Sequence, residues 1–236
     1  LTDRGRIVPS VNDIDHGALY RDLRGRVTAL VSGLPAEALD QVAPATPLWR
    51  VRDVVAHLAG GTADVVAGNL EGVASDAWTQ AQVDARQDTP FQEVLDEWTR
   101  CGELVEPTIA SFPPLMRNML LIDAVTHEHD LRGALGLPGE REGDALLFAF
   151  RGVSRGIGAQ RGDSGALRIV HEGGESVVGE DEPTATVRTT RFEVVRAGVG
   201  RRSLGQIAAW DWDGEAQPES AVLGRFSPTR TSPLVE

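Results

Sequence analysis

Lysine is absent from the 236-residue sequence, so arginine supplies all 23 basic residues, and 35 acidic residues give a net charge of −12. Proteins that bind the phosphate backbone of nucleic acids present a basic surface, so this charge argues against a nucleic-acid partner. Cysteine occurs once, at Cys101, which excludes a disulfide within the chain. Cys101 lies in an amphipathic stretch without a nearby histidine, and we interpret it as a packing or surface residue.

Long apolar runs are also missing. No stretch approaches the roughly 20 residues that span a bilayer, and the longest candidate, 53–69, is interrupted by charge and glycine. The first six residues begin with Leu1 and lack the basic and apolar blocks of a secretory signal. We therefore expect a cytoplasmic protein without a membrane partner, either a monomer or a homodimer.

Hydrophobic periodicity predicts that the first part of the chain is helical. Apolar residues recur at helical spacing in five segments, and Pro35 and Gly136 mark two of the ends. The segments are 14–34, 49–70, 91–112, 115–135 and 144–160. Helices of this length with short connections favour a bundle, to which we assign residues 1–162.

The composition changes after residue 162. Residues 166–171 and 184–190 read as short strands, with a middle strand around Val177 and Val178. A short helix at 192–199 and a strand or turn at Trp210 and Trp212 follow. The predicted fold class is therefore an N-terminal helical bundle followed by a small α+β domain at residues 163–236.

One pair of residues has the spacing of a metal site. Asp123 and His127 stand four residues apart and share a helix face, with Asp130 close to that face. His129 lies about 200° around the helix from His127 and should point away. His57, on a facing helix, could complete a set of two imidazoles and one carboxylate. Zinc accepts such a set and keeps one position open, and nickel, cobalt, iron or manganese would also fit.

The same spacing allows other interpretations. Aspartate and histidine four residues apart commonly form a salt bridge on a helix, and the three side chains could also form a hydrogen-bonded core cluster without an ion. Asp53 shares a face with His57 but lies in the first turn of its helix. We interpret Asp53 as a helix cap, because an acid there pairs with the free N–H groups.

Two segments resemble a known family. Residues 49–59 (WRVRDVVAHLA) and 123–131 (DAVTHEHDL) are similar to the signature stretches of the mycothiol-dependent maleylpyruvate isomerase family, which belongs to the DinB-like metal-binding four-helix bundles. Residues 191–196 and 200–202 resemble a segment of that family's sterol-carrier-like C-terminal domain. The resemblance implies His57, Asp123 and His127 as the metal ligands. The family usually has glutamate at Asp123, and serine or threonine at Arg50, which leaves the helix cap to Thr46 or the backbone.

The resemblance also implies a reaction. A divalent ion, zinc first among the candidates, would serve with mycothiol, the cysteine-containing thiol of actinobacteria, as cosubstrate. The pKa of a free thiol is about 8.5, and coordination to a divalent cation removes the proton. The thiolate would then attack a small electrophile. The shorter arm of Asp123 favours a related transferase, or an enzyme of unassigned substrate, over maleylpyruvate isomerase itself.

A substrate with carboxylates would need a cation beside the metal, and arginine matches carboxylates geometrically. The predicted second domain has four candidate arginines for this role: Arg196, Arg201, Arg202 and Arg225. We select Arg201, although any of the four could instead be a surface charge. The alternative to an enzyme is a non-catalytic, metal-containing binding protein with an apolar ligand in the C-terminal domain.

Overall fold

The structure is a computed structural model that describes residues 14–214, 217–223 and 229–236. The helices are α1 His16–Val31, α2 Ala36–Leu39, α3 Val51–Ala67, α4 Asp76–Asp84, α5 Phe91–Val105, α6 Pro114–Leu135, α7 Asp144–Arg161, α8 Arg191–Gly198 and α9 Leu204–Ala208. The strands are β1 Ala166–His171, β2 Gly174–Val178, β3 Pro183–Arg188 and β4 Asp211–Asp213. Short 3-10 helices span Glu106–Ser111, Gly162–Ser164 and Pro218–Ala221. None of the helices in the described ranges combines the length and apolar character needed to cross a bilayer.

Helices α1, α3, α5 and α6 form a four-helix bundle. Helix α3 packs against α5 and α6, and α1 packs against the same two helices. Their inward faces bury apolar side chains from each helix, including Leu23, Val54, Trp98 and Leu131. The helical bundle predicted from periodicity is therefore confirmed, and Gly136 ends α6 in a left-handed conformation as expected.

The segment predicted as one helix at 91–112 is divided in the structure. Helix α5 ends at Val105, and the chain continues as the 3-10 helix Glu106–Ser111. Pro107 explains the change, because proline has no N–H to continue the α-helical hydrogen bonds and its ring crowds the preceding turn. Leu104, next to the last residue of α5, is exposed.

The strands form one mixed sheet in the order β2-β1-β3-β4. Strand β1 pairs parallel with β3, while β2 and β4 are antiparallel to their neighbours. Ala185 and Val187 are buried whereas Thr184 and Arg188 are exposed, as the alternation in β3 predicts.

Helix α7 connects the bundle to the region after residue 162. It packs on α6, on α8 and on β1 and β2. Apolar side chains from both regions consequently belong to one buried cluster, which includes Leu131 of the bundle and Ile169 of the sheet. The division of the chain into two domains at residue 162 remains a prediction.

Candidate metal centre

The N-terminal cap of α3 precedes His57 and fixes where the helix begins. The backbone N–H of Arg50 donates to Oδ2 of Asp53 at 2.9 Å. The guanidinium of Arg50 binds both oxygens of the same carboxylate, at 2.8 and 2.9 Å. Asp53 is therefore the helix cap, as predicted, and both of its oxygens are engaged by Arg50. His57 follows one turn later on the buried side of α3.

The three residues selected from the sequence converge. Nε2 of His57, on α3, lies 3.2 Å from Oδ2 of Asp123, on α6. Nε2 of His127, one turn further along α6, lies 3.4 Å from Oδ1 of the same carboxylate. One ligand atom from each residue falls within 4.8 Å of the other two. A tetrahedral zinc ion with bonds of about 2.0–2.1 Å separates its ligand atoms by about 3.4 Å, so these residues fit such an ion.

The centre is closed on one side and open on the other. The Trp49 ring lies 5.1 Å from the His57 ring and 6.0 Å from the His127 ring. The two imidazoles are buried and stand 4.9 Å apart, edge to face. The side chain of Asp123, in contrast, is 44% exposed. A small molecule can therefore reach the centre from the side of Asp123.

Electrostatics keep the carboxylate of Asp123 ionised. Desolvation raises the pKa of Asp123, but the charges of His57 and His127 and their hydrogen bonds outweigh it and hold that pKa well below its usual range. Desolvation lowers the pKa of His127, whereas Asp123 and Asp130 raise it to about 9. A divalent cation would therefore have to displace the proton of His127, after which an ionised carboxylate between two imidazoles is a donor set suited to it.

Each imidazole is supported from behind by another residue. Nδ1 of His57 is 2.7 Å from Oε1 of Gln82, which lies on α4. Nδ1 of His127 is 3.0 Å from Oδ2 of Asp130, but it makes no well-aligned hydrogen bond, so this contact is mainly electrostatic. Sequence spacing indicated Asp130, whereas Gln82 was missed because helix α4 was not predicted.

Asp130 is fully buried between two arginines of the region after residue 162. Arg196 on α8 donates to Oδ1 of Asp130 at 2.7 Å, and Arg201 donates to Oδ2 at 2.9 Å. Desolvation raises the pKa of Asp130, but the charges of Arg201 and Arg196 keep it well below the usual range.

Three of the four arginines considered for substrate binding, Arg196, Arg201 and Arg202, are therefore buried rather than surface charges. Arg202 pairs with Glu193 and Glu236, and Arg201 also donates to the carbonyl of Val199. The substrate-binding role of Arg201 remains a prediction. Arg225 lies outside the described residues.

His129 faces away from the centre, as helical spacing predicts. Its ring packs edge to face on Phe192 of α8 at a centroid distance of 4.9 Å. Burial, and then the charge of Arg196, lowers the pKa of His129 to about 3. His16 and His171 likewise pack on phenylalanine rings, Phe148 and Phe150.

Comparison with known proteins supports the resemblance seen in the motifs. Residues 20–132 match the family model of the mycothiol maleylpyruvate isomerase N-terminal domain. The match covers the part of the chain that forms the helical bundle and agrees with the family that the motifs resemble. All three residues of the centre lie within the matched region.

Two crystal structures of the mycothiol-dependent maleylpyruvate isomerase have a similar fold. One is of a histidine-to-alanine mutant, with a TM-score of 0.55, and the other has a TM-score of 0.54. Each is 12% identical to this chain, and the alignments cover 82% of this chain and 92% of theirs. This likeness establishes the fold. The sequence matches none of the curated proteins with which it was compared.

Proposed function

We propose that this protein is a metal-dependent enzyme that uses mycothiol to attack a small electrophile, as an isomerase or an S-transferase. The convergence of His57, Asp123 and His127 in a chain with this family's N-terminal domain is the observation that carries the proposal. The thiol is inferred from the family name. Zinc is the first candidate for the ion, because it accepts two imidazoles and a carboxylate and keeps a position open.

The residues of the centre have separate tasks in this proposal. His57, Asp123 and His127 hold the ion, whose positive charge would lower the pKa of a thiol from its ordinary value of about 8.5. Trp49 covers the imidazole rings and keeps water from that side. The exposed side of Asp123 leaves a route for the thiol and the electrophile.

The electrophile decides the outcome of the reaction. With maleylpyruvate, the thiolate sulfur would add to one carbon of the cis double bond and leave a single bond that can rotate. Loss of the sulfur would then restore the double bond in the trans form and release the thiol unchanged. With an electrophile that does not eliminate the sulfur, the carbanion left by the addition would take up a proton, and the reaction would end as thiol transfer.

Arg201 is the residue we propose for a substrate carboxylate. Desolvation lowers the pKa of Arg201, but Asp130 and, more weakly, Asp123 raise it. Arg201 therefore interacts electrostatically with Asp123, one of the three proposed metal ligands. Asp130 accepts from this guanidinium at 2.9 Å and so fixes its orientation.

Metal analysis of purified protein tests the proposal. We expect about one divalent ion per chain in the wild type and its loss in His57→Ala and His127→Ala, because each variant removes one of three ligands. His171→Ala is the control, since His171 packs on Phe150 away from the centre. Equal metal content in wild type and ligand variants, or a melting temperature unchanged by a chelator, would contradict it. A co-purifying lipid without thiol consumption would favour the binding-protein alternative.

A further inference from the structure

We infer that Gln82 is a positioning residue for the metal centre, because it keeps the proton of His57 on Nδ1 and leaves Nε2 to face the ion. Gln82 belongs to neither of the sequence motifs. The inference rests on the proposed function, since it concerns how the centre binds its metal.

Asp64 fixes the direction of the hydrogen bonds. Nε2 of Gln82 lies 2.9 Å from Oδ2 of Asp64, and a carboxylate can only accept. The amide nitrogen of Gln82 must therefore face Asp64, and Oε1 must face the other way, which removes the usual ambiguity of an amide. Asn69 donates to the second oxygen of Asp64 at 2.9 Å and holds that carboxylate in place.

The position of the proton on His57 follows from this direction. Oε1 of Gln82 lies 2.7 Å from Nδ1 of His57. Since Oε1 can only accept, Nδ1 must carry the hydrogen. The other nitrogen, Nε2, is the one that points at Asp123. A histidine held in this way presents Nε2 to a cation whenever that nitrogen is unprotonated.

The surrounding packing immobilises Gln82. Its side chain is buried in the contact between α3 and α4. Arg86 donates to the backbone carbonyl of Gln82 at 3.0 Å and pairs with Glu97 on α5. The amide group of Gln82 is thus held by Asp64 and His57, and its backbone by Arg86, before any metal binds. Little conformational freedom is therefore lost when the metal binds.

An amide is the group that suits this place. It must donate to Asp64 and accept from His57 at the same time, which glutamine does and an ionised glutamate cannot. The two imidazoles are therefore supported differently, His57 by a neutral amide and His127 by the carboxylate of Asp130.

The proton position can be measured without metal. Long-range proton–nitrogen NMR of metal-free protein labelled at histidine nitrogen should show Nδ1 of His57 protonated, the signal being assigned with His57→Asn. In Asp64→Asn the amide of Gln82 can turn over, so a second state with Nδ1 unprotonated should appear. An unprotonated Nδ1 in the wild type would overturn the inference. Wild-type protein that binds no zinc would instead overturn the proposed function.

Zinc affinity, measured by competition with a chelator, tests the consequence for the metal. We expect Gln82→Leu to bind zinc about 10–100-fold more weakly than the wild type, as is usual when a supporting residue is lost. Asp64→Asn should weaken binding in the same direction, and it decides the matter should Gln82→Leu fail to fold. Gln92→Leu, on the exposed face of α5, is the matched control. Wild-type affinity in the folded variants would contradict the inference.

Discussion

The carboxylate of Asp123 is one methylene shorter than the glutamate usual in the related motif, yet it contacts both imidazoles. It does so because each of its oxygens faces a different histidine, Oδ2 towards His57 and Oδ1 towards His127. The position of α3 beside α6 brings His57 close enough for the short arm to suffice. The change from glutamate therefore keeps the carboxylate within reach of both imidazoles.

Substitutions of Asp123 should separate its charge from its length. We expect Asp123→Asn to weaken zinc binding by about 100-fold or more, because the anionic ligand is lost. Asp123→Glu keeps the charge and should remain within about tenfold of the wild type. Competition with a chelator measures both, with the exposed Asp22→Asn on α1 as the control. An Asp123→Asn variant that binds as well as wild type would exclude Asp123 as a ligand.

His129 should make the stability of the metal-free protein depend on pH. In the folded protein its pKa is about 3, whereas in the unfolded chain it is about 6.5. The unfolded state therefore binds the proton first as the pH falls, and stability decreases from pH 6.5 towards pH 3. Between pH 7 and pH 5 this residue should lower the free energy of unfolding by about 2 kcal/mol.

Urea unfolding at several pH values, with His129→Gln for comparison, measures that contribution. The variant should lose less stability than the wild type between pH 7 and pH 5. Its difference from wild type at pH 7.5 gives the cost of lost packing alone, because His129 is neutral there in both states. Parallel pH profiles would show that His129 does not titrate in this way.

The sequence predicted some residues of the centre and not others, for a physical reason. Asp123 and His127 share a helix face by spacing alone. His57 was a candidate third ligand from a facing helix, and the motif resemblance supported that choice. Gln82 and the arginines on Asp130 are brought in by contacts between elements distant in sequence. No periodicity along the chain reports such contacts.

At the scale of elements, the close approach of α4 to α3 determines whether Gln82 reaches His57. Gly60 lies at this approach, where a Cβ atom would come within 2.6 Å of Cβ of Gln82. A Cβ atom on the next residue, Gly61, would meet its nearest neighbours from other elements at 3.8 Å, which is an ordinary van der Waals distance. The two glycines therefore have different roles although both lie within α3.

Alanine at these two positions should change stability in opposite directions. Gly60→Ala forces α4 away and should destabilise the protein by about 1–3 kcal/mol. Gly61→Ala gains helix propensity without a clash and should stabilise it by up to about 1 kcal/mol. Urea unfolding midpoints compare the pair directly, each variant serving as the control for the other. Equal effects would mean that the α3–α4 spacing is adjustable.

Hydrophobic periodicity predicted some helices accurately and missed others. Helix α6, predicted at 115–135, spans Pro114–Leu135, because its apolar face and its proline and glycine ends are all local signals. Helix α4 is short and polar, and only Gln82 and Val83 are buried. Its position depends on packing against α3, so the sequence could not predict it from an apolar face.

At the scale of the whole molecule, buried charges connect α6 to the region after residue 162. Arg196 on α8 donates to the carbonyl of Thr126 at 3.0 Å and to Asp130 at 2.7 Å. The side chain of Glu236, the last residue of the sequence, accepts from Arg196 and Arg202. Helix α6, which carries two of the three candidate metal ligands, is thus held by charged residues from the region after residue 162.

Glu236→Gln should therefore reduce the stability of the whole protein more than that of the centre. The variant leaves Arg196 and Arg202 buried with one negative charge fewer. Because Arg196 keeps Asp130 and Arg202 keeps Glu193, the loss should be smaller than the roughly 3–5 kcal/mol of a buried charge left without any partner. Asp130 keeps both Arg196 and Arg201, so zinc affinity should stay within about tenfold of the wild type. Urea unfolding and chelator competition measure the two effects, with the exposed Glu180→Gln as the control. A fall in zinc affinity as steep as the fall in stability would contradict this expectation. It would mean that the charge of Glu236 influences His127 through Arg196 and Asp130. The centre would then depend on the region after residue 162 for metal binding as well as for folding.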